Sequence, residues 1–175
     1  MSAAYGKSFL ELKLLALAQA AEAYHRRVYE GQDRYMAPAE YEKDVLPQLQ
    51  AAIPATLQQS HRQALSNHVK FGNEFSFRRR LTAFFEEHEV ALAVVVPSPG
   101  DWIARIVDYR NSLTHHPVAS NPPGVDRPAL VRCNYVLRIL LELCFLKSMS
   151  IGSSEILALA SRSSRYGQIR ERFFR

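Results

Sequence analysis

The stretch Asp108-Tyr-Arg-Asn-Ser-Leu-Thr-His115-His116 closes an amphipathic run that starts near Asp101 and leads into a proline-rich segment. Its reading decides the fold. Trp102, Ile106, Tyr109 and Leu113 step by four, three and four residues, the rhythm of one buried helical face. Asp108, Asn111 and His115 keep the same rhythm on another face, while Arg110 falls in line with Ile103, Val107 and Thr114. Pro97-Ser-Pro-Gly-Asp101 supplies a break and a helix start, with Ser98 or Asp101 as the cap. Residues 117–128 hold four prolines and a glycine and read as a loop. An arginine, an amide and a histidine therefore stand at a helix end beside a loop, where functional residues concentrate. The spacing Arg110-Asn111-x-x-x-His115 is weak by itself. With 17 Arg and 6 His in 175 residues, chance yields roughly one or two such pairs. Arg62 and His68 form another.

On the C-terminal side, Asp126 or Arg127 starts a long helix with Pro128 in its first turn. Val131, Tyr135, Ile139, Leu143 and Leu146 are expected to face inwards, with Cys133, Leu137, Leu140 and Cys144 filling in. A helix so apolar should be central. Gly152-Ser-Ser-Glu155 breaks it and starts a shorter helix. The tail interleaves Arg162, Arg165, Arg170, Arg172 and Arg175 with Tyr166, Phe173 and Phe174. That pattern suits nucleic acid, and equally a terminal helix docking its Phe pair on the body.

On the N-terminal side, Leu10, Leu14, Leu17, Ala21, Tyr24 and Val28 mark a first helix, with Ser8 and Glu11 as a capping box and Gly31 as the stop. Pro38 opens a second helix that Pro47 is expected to kink or split, and Pro54 ends it. A third is expected from about residue 55 to 69. Ser76 is a candidate cap for a helix carrying Leu81, Phe84 and Phe85. Arg78, Arg79 and Arg80 point about 100° apart on such a helix. One of them is expected in a structural contact and two in solvent; all three are candidate RNA contacts. The run from Val90 to Val96 is expected to be a buried helix end or connector, because no second strand exists to pair with it.

Composition agrees with a single all-α domain spanning 1–175: 47% hydrophobic, 22% charged and seven glycines over the chain. The net charge of +5, with 17 Arg against 5 Lys, leans towards a polyanionic partner. Cys133 and Cys144 lie about 16 Å apart on one helix, too far for a mutual disulfide. No apolar run reaches the roughly 20 residues of a membrane span, and no secretory signal is expected. The expected location is cytoplasmic. His115, His116, Asp108 and Asp126 make a poor metal set, since adjacent histidines rarely share one ion. No metal and no cofactor is expected.

Three segments resemble the HEPN superfamily, and its ApeA-like branch in particular. They are the opening helix Phe9-Leu-Glu-Leu to Ala23-Tyr-His-Arg-Arg27 with Tyr35-Met and Tyr41, the segment Gly72-Asn-Glu-Phe-Ser-Phe-Arg-Arg-Arg-Leu81, and Tyr109-Arg-Asn-Ser-Leu-Thr-His115 before a loop and a long apolar helix. The last is similar to the family's Arg-to-His signature in its Arg-Asn-x-x-x-His form. Arg62 and His68 lack the following Asn and the adjoining loop. The resemblance implies a helical bundle that dimerises and a metal-independent endoribonuclease, acting in antiviral defence or as a toxin on RNA such as tRNA. It implies catalytic roles for Arg110, Asn111 and His115, with His116 as a second choice for the histidine. Relatives of this branch usually carry a further β-rich N-terminal domain. Only eight residues precede Phe9 here, so the chain is expected to be free-standing or one domain of a longer protein. A neutralising antitoxin partner is a further expectation.

These side chains suit that chemistry. An imidazole transfers protons near neutral pH, and a guanidinium matches phosphate oxygens and balances charge on a phosphorane. Asn111, one turn from His115, can hydrogen-bond its ring or the substrate. On a regular helix, however, Arg110 and His115 project about 140° apart. They converge only if His115 lies past the helix end, or if sites share groups across a two-fold dimer axis. The expectation is a composite site in a dimer. The alternatives are a non-catalytic HEPN module that binds RNA or nucleotide or serves as a dimeric sensor, and a helical scaffold with a basic docking tail.

Overall fold

A computed structural model describes residues 2–115 and 126–175, with residues 2–8 and 115 described by their backbone. The described residues form helices: α1 (Ser2–Val28), α2 (Pro38–Glu40), a π-helical turn (Tyr41–Val45), α3 (Leu46–Ala51), α4 (Gln59–Lys70), α5 (Phe77–Ala93), α6 (Asp101–His115), α7 (Arg127–Ser148), α8 (Ser153–Arg162) and α9 (Ser164–Phe173). The fold class is all-α. An isolated bridge between Arg34 and Glu74 is the extended pairing among the described residues.

The chain divides into two compact units, residues 1–28 with 77–175, and residues 29–76. In the first, α7 is the centre. Leu130, Cys133, Val136, Leu137, Leu140 and Leu143 are wholly buried along it. Burial of each such side chain contributes about 1.5–3 kcal/mol. The expected inward face was half right: Ile139 and Leu143 are buried, but Val131, Tyr135 and Leu146 are only partly covered. Helix α1 is fastened to α7 at two levels, where Asn134 Nδ2 donates to the Leu10 carbonyl at 3.1 Å and Tyr24 Oη donates to the Cys144 carbonyl at 2.7 Å. Burial pushes the thiols of Cys133 and Cys144 up to about 12, so both stay protonated and inert. The expected cap at Ser8 is corrected, because α1 already begins at Ser2. A lone serine costs only a few tenths of a kcal/mol in a growing helix, too little to start a new one.

Helix α5 begins directly after Ser76 and takes in Val90, which is 68% exposed against expectation, whereas Val95 and Val96 beyond its end are wholly buried, as a connector packed into the core. The C-terminal helices dock on the body. Phe173 packs on Tyr135 with ring centroids 4.5 Å apart, and Phe174 meets Trp102 edge-on at 5.5 Å. Glu142 on α7 accepts from Tyr166 Oη at 2.9 Å and pairs with Arg165 and Arg138. Burial pushes its carboxyl up, but those hydrogen bonds outweigh it and hold the carboxyl below the usual range. The tail's aromatic residues are thus committed to packing.

In the second unit, the π-helical turn precedes Pro47, which has no N–H for the regular ladder, so the expected split is present. Helix α4 starts at Gln59, four residues later than expected, after the turn at Pro54. Asn73 ties its own ends together: Nδ2 donates to the Met36 carbonyl at 2.9 Å and Oδ1 accepts from the Met36 amide at 3.0 Å.

Candidate functional site

Helix α6 carries the candidate residues because its inward face is short. Ile106 is wholly buried and Val107 nearly so, whereas Tyr109 and Leu113 are only half covered. Arg110 follows Val107 by three residues and is drawn inwards along that line. Its side chain is 25% exposed, and Nη2 lies 3.4 Å from Glu22 Oε2 on α1. Nη1 donates to Asn111 Oδ1 at 3.2 Å, and the guanidinium carbon stands 5.7 Å from the centre of the Phe77 ring. A carboxylate, an amide and an aromatic ring therefore fix the orientation of this cation while one side stays open. Asp108, two residues before Arg110, faces Arg78 of α5 at 3.6 Å.

Asp108 and Asn111 are exposed and share one face of α6 with the backbone position of His115. Helix α6 runs through His115 as its last residue, so that residue is not past the helix end. The backbone directions of Arg110 and His115 are about 140° apart on this helix. His116 and residues 117–125 of the proline-rich loop lie outside the described residues.

The three consecutive arginines separate by depth. Arg78 and Arg79 are exposed. Arg80 is 1% exposed, and its Nη1 donates to His25 Nδ1 at 3.1 Å, which makes that ring nitrogen the unprotonated one. A side chain at that depth has no surface to offer RNA, so Arg80 leaves the set of expected RNA contacts and is the structural arginine of the three. The signal was available: Arg80 is three residues after Phe77 and four before Phe84, both buried. Glu22 was missed because it is one of two acidic residues on α1 and nothing in its spacing names a partner.

The rival arginine and histidine lie on α4, where both are exposed and His68 Nδ1 donates to the Ala64 carbonyl at 2.8 Å within its own helix. Among the described residues no group of three His, Cys, Asp or Glu side chains is placed to hold a metal ion, and no helix is long and apolar enough to cross a membrane.

Comparison with curated proteins and with solved structures finds no match. Comparison with protein families matches residues 15–155 to the model of the Apea-like HEPN domain, from the middle of α1 to the start of α8. That span holds α5, α6 and α7 and every candidate residue, and the chain belongs to the Apea-like HEPN family.

Proposed function

We propose that the chain is a metal-independent endoribonuclease whose site is built from Arg110, Asn111 and His115. The observation that carries the reading is Arg110 itself, a cation held by Glu22 and Asn111 with one side open, on the helix that ends at His115 of a HEPN chain. Its guanidinium binds non-bridging phosphate oxygens and stabilises charge on the pentacovalent phosphorane. His115 acts as general base or acid. The 2′-OH gives up its proton, the 2′-oxygen bonds to phosphorus, and the 5′-oxygen leaves with a proton. The products carry 2′,3′-cyclic phosphate and 5′-OH ends. Asn111 orients the ring or the substrate, and Arg78 and Arg79 on α5 offer exposed charge to the RNA backbone.

Since α6 turns Arg110 and His115 apart, the reading includes a two-fold dimer in which each site takes groups from both copies. Cleavage of a cellular RNA such as tRNA suits a role in antiviral defence or toxicity. The test is incubation of the purified protein with total RNA in excess chelator, beside Arg110→Ala and His115→Ala. Cleavage by the wild type and loss in both variants is expected; equal cleavage by all three overturns it. The second reading is an RNA- or nucleotide-binding HEPN module without catalysis, favoured by the ion pair that Arg110 already makes with Glu22. It predicts binding without cleavage at high protein concentration.

A further inference from the structure

The second half of α5 and the start of α8 enclose a recess of about 250 Å³, away from Arg110. Its polar groups are sorted by kind between the two walls. On the α5 wall, His88 is 5% exposed and its Nε2 has no hydrogen-bond partner among the described residues. Glu87 Oε2 is 3.9 Å from that nitrogen, too far for a hydrogen bond between them. A donor nitrogen seated in the gap reaches both at about 2.8 Å. The neutral imidazole presents a lone pair at Nε2 when Nδ1 carries the proton. Glu87 has other contacts as well, and a carboxylate accepts several hydrogen bonds at once.

The α8 wall offers donors. Gly152 caps this helix without a side-chain hydrogen bond, and its own amide donates to Glu155 Oε2 at 2.9 Å. The first bond inside the helix runs from the Ile156 amide to the Gly152 carbonyl. The amides of Ser153 and Ser154 therefore point out of the helix start, where the dipole is positive. Lys147 adds a cation there, its Nζ donating to Ser153 Oγ at 3.5 Å. Between the two walls the lining is apolar, from Ala91, Ile156 and Leu157.

We propose that this recess binds a free α-amino acid with an apolar side chain. The ammonium fills the gap between Glu87 and His88. The carboxylate takes the amides and hydroxyls of Ser153 and Ser154, as anions do at helix starts. The side chain lies along Ala91, Ile156 and Leu157. Charge separates this ligand from simpler ones. An anion alone leaves Glu87 facing it without compensation, and an amine alone meets Lys147 and the positive end of α8. A zwitterion presents each wall with the opposite charge. The volume is below the roughly 300 Å³ at which sites for drug-sized molecules begin, so the ligand is small. Nothing here depends on the nuclease reading.

The experiment is calorimetric titration of the full chain with L-leucine. Saturable binding with a Kd below about 1 mM is expected. Leucinamide lacks the carboxylate and 4-methylpentanoate lacks the amine, and each should bind about tenfold more weakly or worse. Two variants locate the site. Glu87→Gln removes the charge that faces the ammonium and should weaken leucine about tenfold. Ser153→Pro removes one amide and one hydroxyl from the start of α8. The helix tolerates it, because Gly152 is already extended at φ −67° and ψ 154° and proline suits the first helical position. Circular dichroism should stay unchanged while leucine binding weakens. No binding of leucine overturns the proposal and leaves the gap to water. Equal binding of 4-methylpentanoate makes this an anion site only, equal binding of leucinamide an amine site only, and either overturns the amino acid. Leucine bound equally well by both variants sits elsewhere, which overturns it too. RNA cleavage, present or absent, bears on the nuclease reading alone.

Discussion

Two arginines of the same helical unit touch very different surroundings. Arg80 lies under the crossing of α1 and α5, 1% exposed, with its guanidinium on His25 and the Phe84 ring beside that histidine at 5.3 Å. Arg110 lies near the end of α6, a quarter exposed, with Glu22 and Asn111 holding part of its fork. The buried arginine has a histidine in contact and no room for a substrate. The open one keeps a quarter of its side chain exposed, on the helix whose last residue is His115. Arginine beside histidine therefore does not define a phosphate site; depth and the direction of the helix decide what the two can do.

Substitutions should separate these regions. Arg110→Ala should reduce RNA cleavage about 10³-fold, roughly 4 kcal/mol of transition-state stabilisation. The melting temperature should hardly move. Arg80→Ala should do the reverse. It empties a buried site and leaves His25 Nδ1 without that donor, for a loss of about 3 kcal/mol in stability by denaturant titration, while activity per folded molecule is retained. If Arg80→Ala abolished cleavage in a fully folded protein, the division between the two arginines would fail. Glu22→Gln keeps a hydrogen bond to Arg110 but removes the charge. Cleavage should fall about fivefold, near 1 kcal/mol, with a stability change below about 1 kcal/mol because both groups are partly in water. A loss as large as that of Arg110→Ala would make Glu22 a participant in the chemistry.

The smallest effect concerns a second buried histidine. His88 is 5% exposed, and its Nε2 has no hydrogen-bond partner among the described residues. Burial lowers its proton affinity below the usual 6.5, with Glu87 opposing and Lys147 adding to the lowering. The unfolded chain then binds the proton at higher pH than the folded one. Stability from this group is full above about 6.5 and falls as the pH drops below it. His88→Leu should flatten that part of a melting curve series taken from pH 7.5 to 5, and an unchanged slope would remove His88 as its cause.

Much of the fold was legible because helices announce themselves by spacing. Pro128 at the start of α7, the break at Gly152 and the start at Asp101 are local signals, and the structure places elements accordingly. The inner face of α7 was harder to read. It is apolar nearly all round, so periodicity leaves the choice of face open, and packing against α1 on one side and α5 on the other decided it. Of the site, the position of Arg110 near the end of α6 was legible. Its contact with Glu22 was not, because 88 residues separate them and only tertiary packing brings them together. The depth of Arg80 was readable from Phe77 and Phe84, but a triplet of arginines on a basic chain reads first as surface.

The central claim, that each site draws Arg110 from one copy and His115 from the other, is tested most directly by mixing the two inactive variants. When Arg110→Ala and His115→Ala are unfolded together and refolded in equal amounts, half of the dimers carry one of each. Each mixed dimer then has one site with both groups intact, and about one quarter of wild-type cleavage should return. If cleavage stays at the level of the separate variants while mass measurement shows mixed dimers, each chain supplies its own pair and the shared site is wrong.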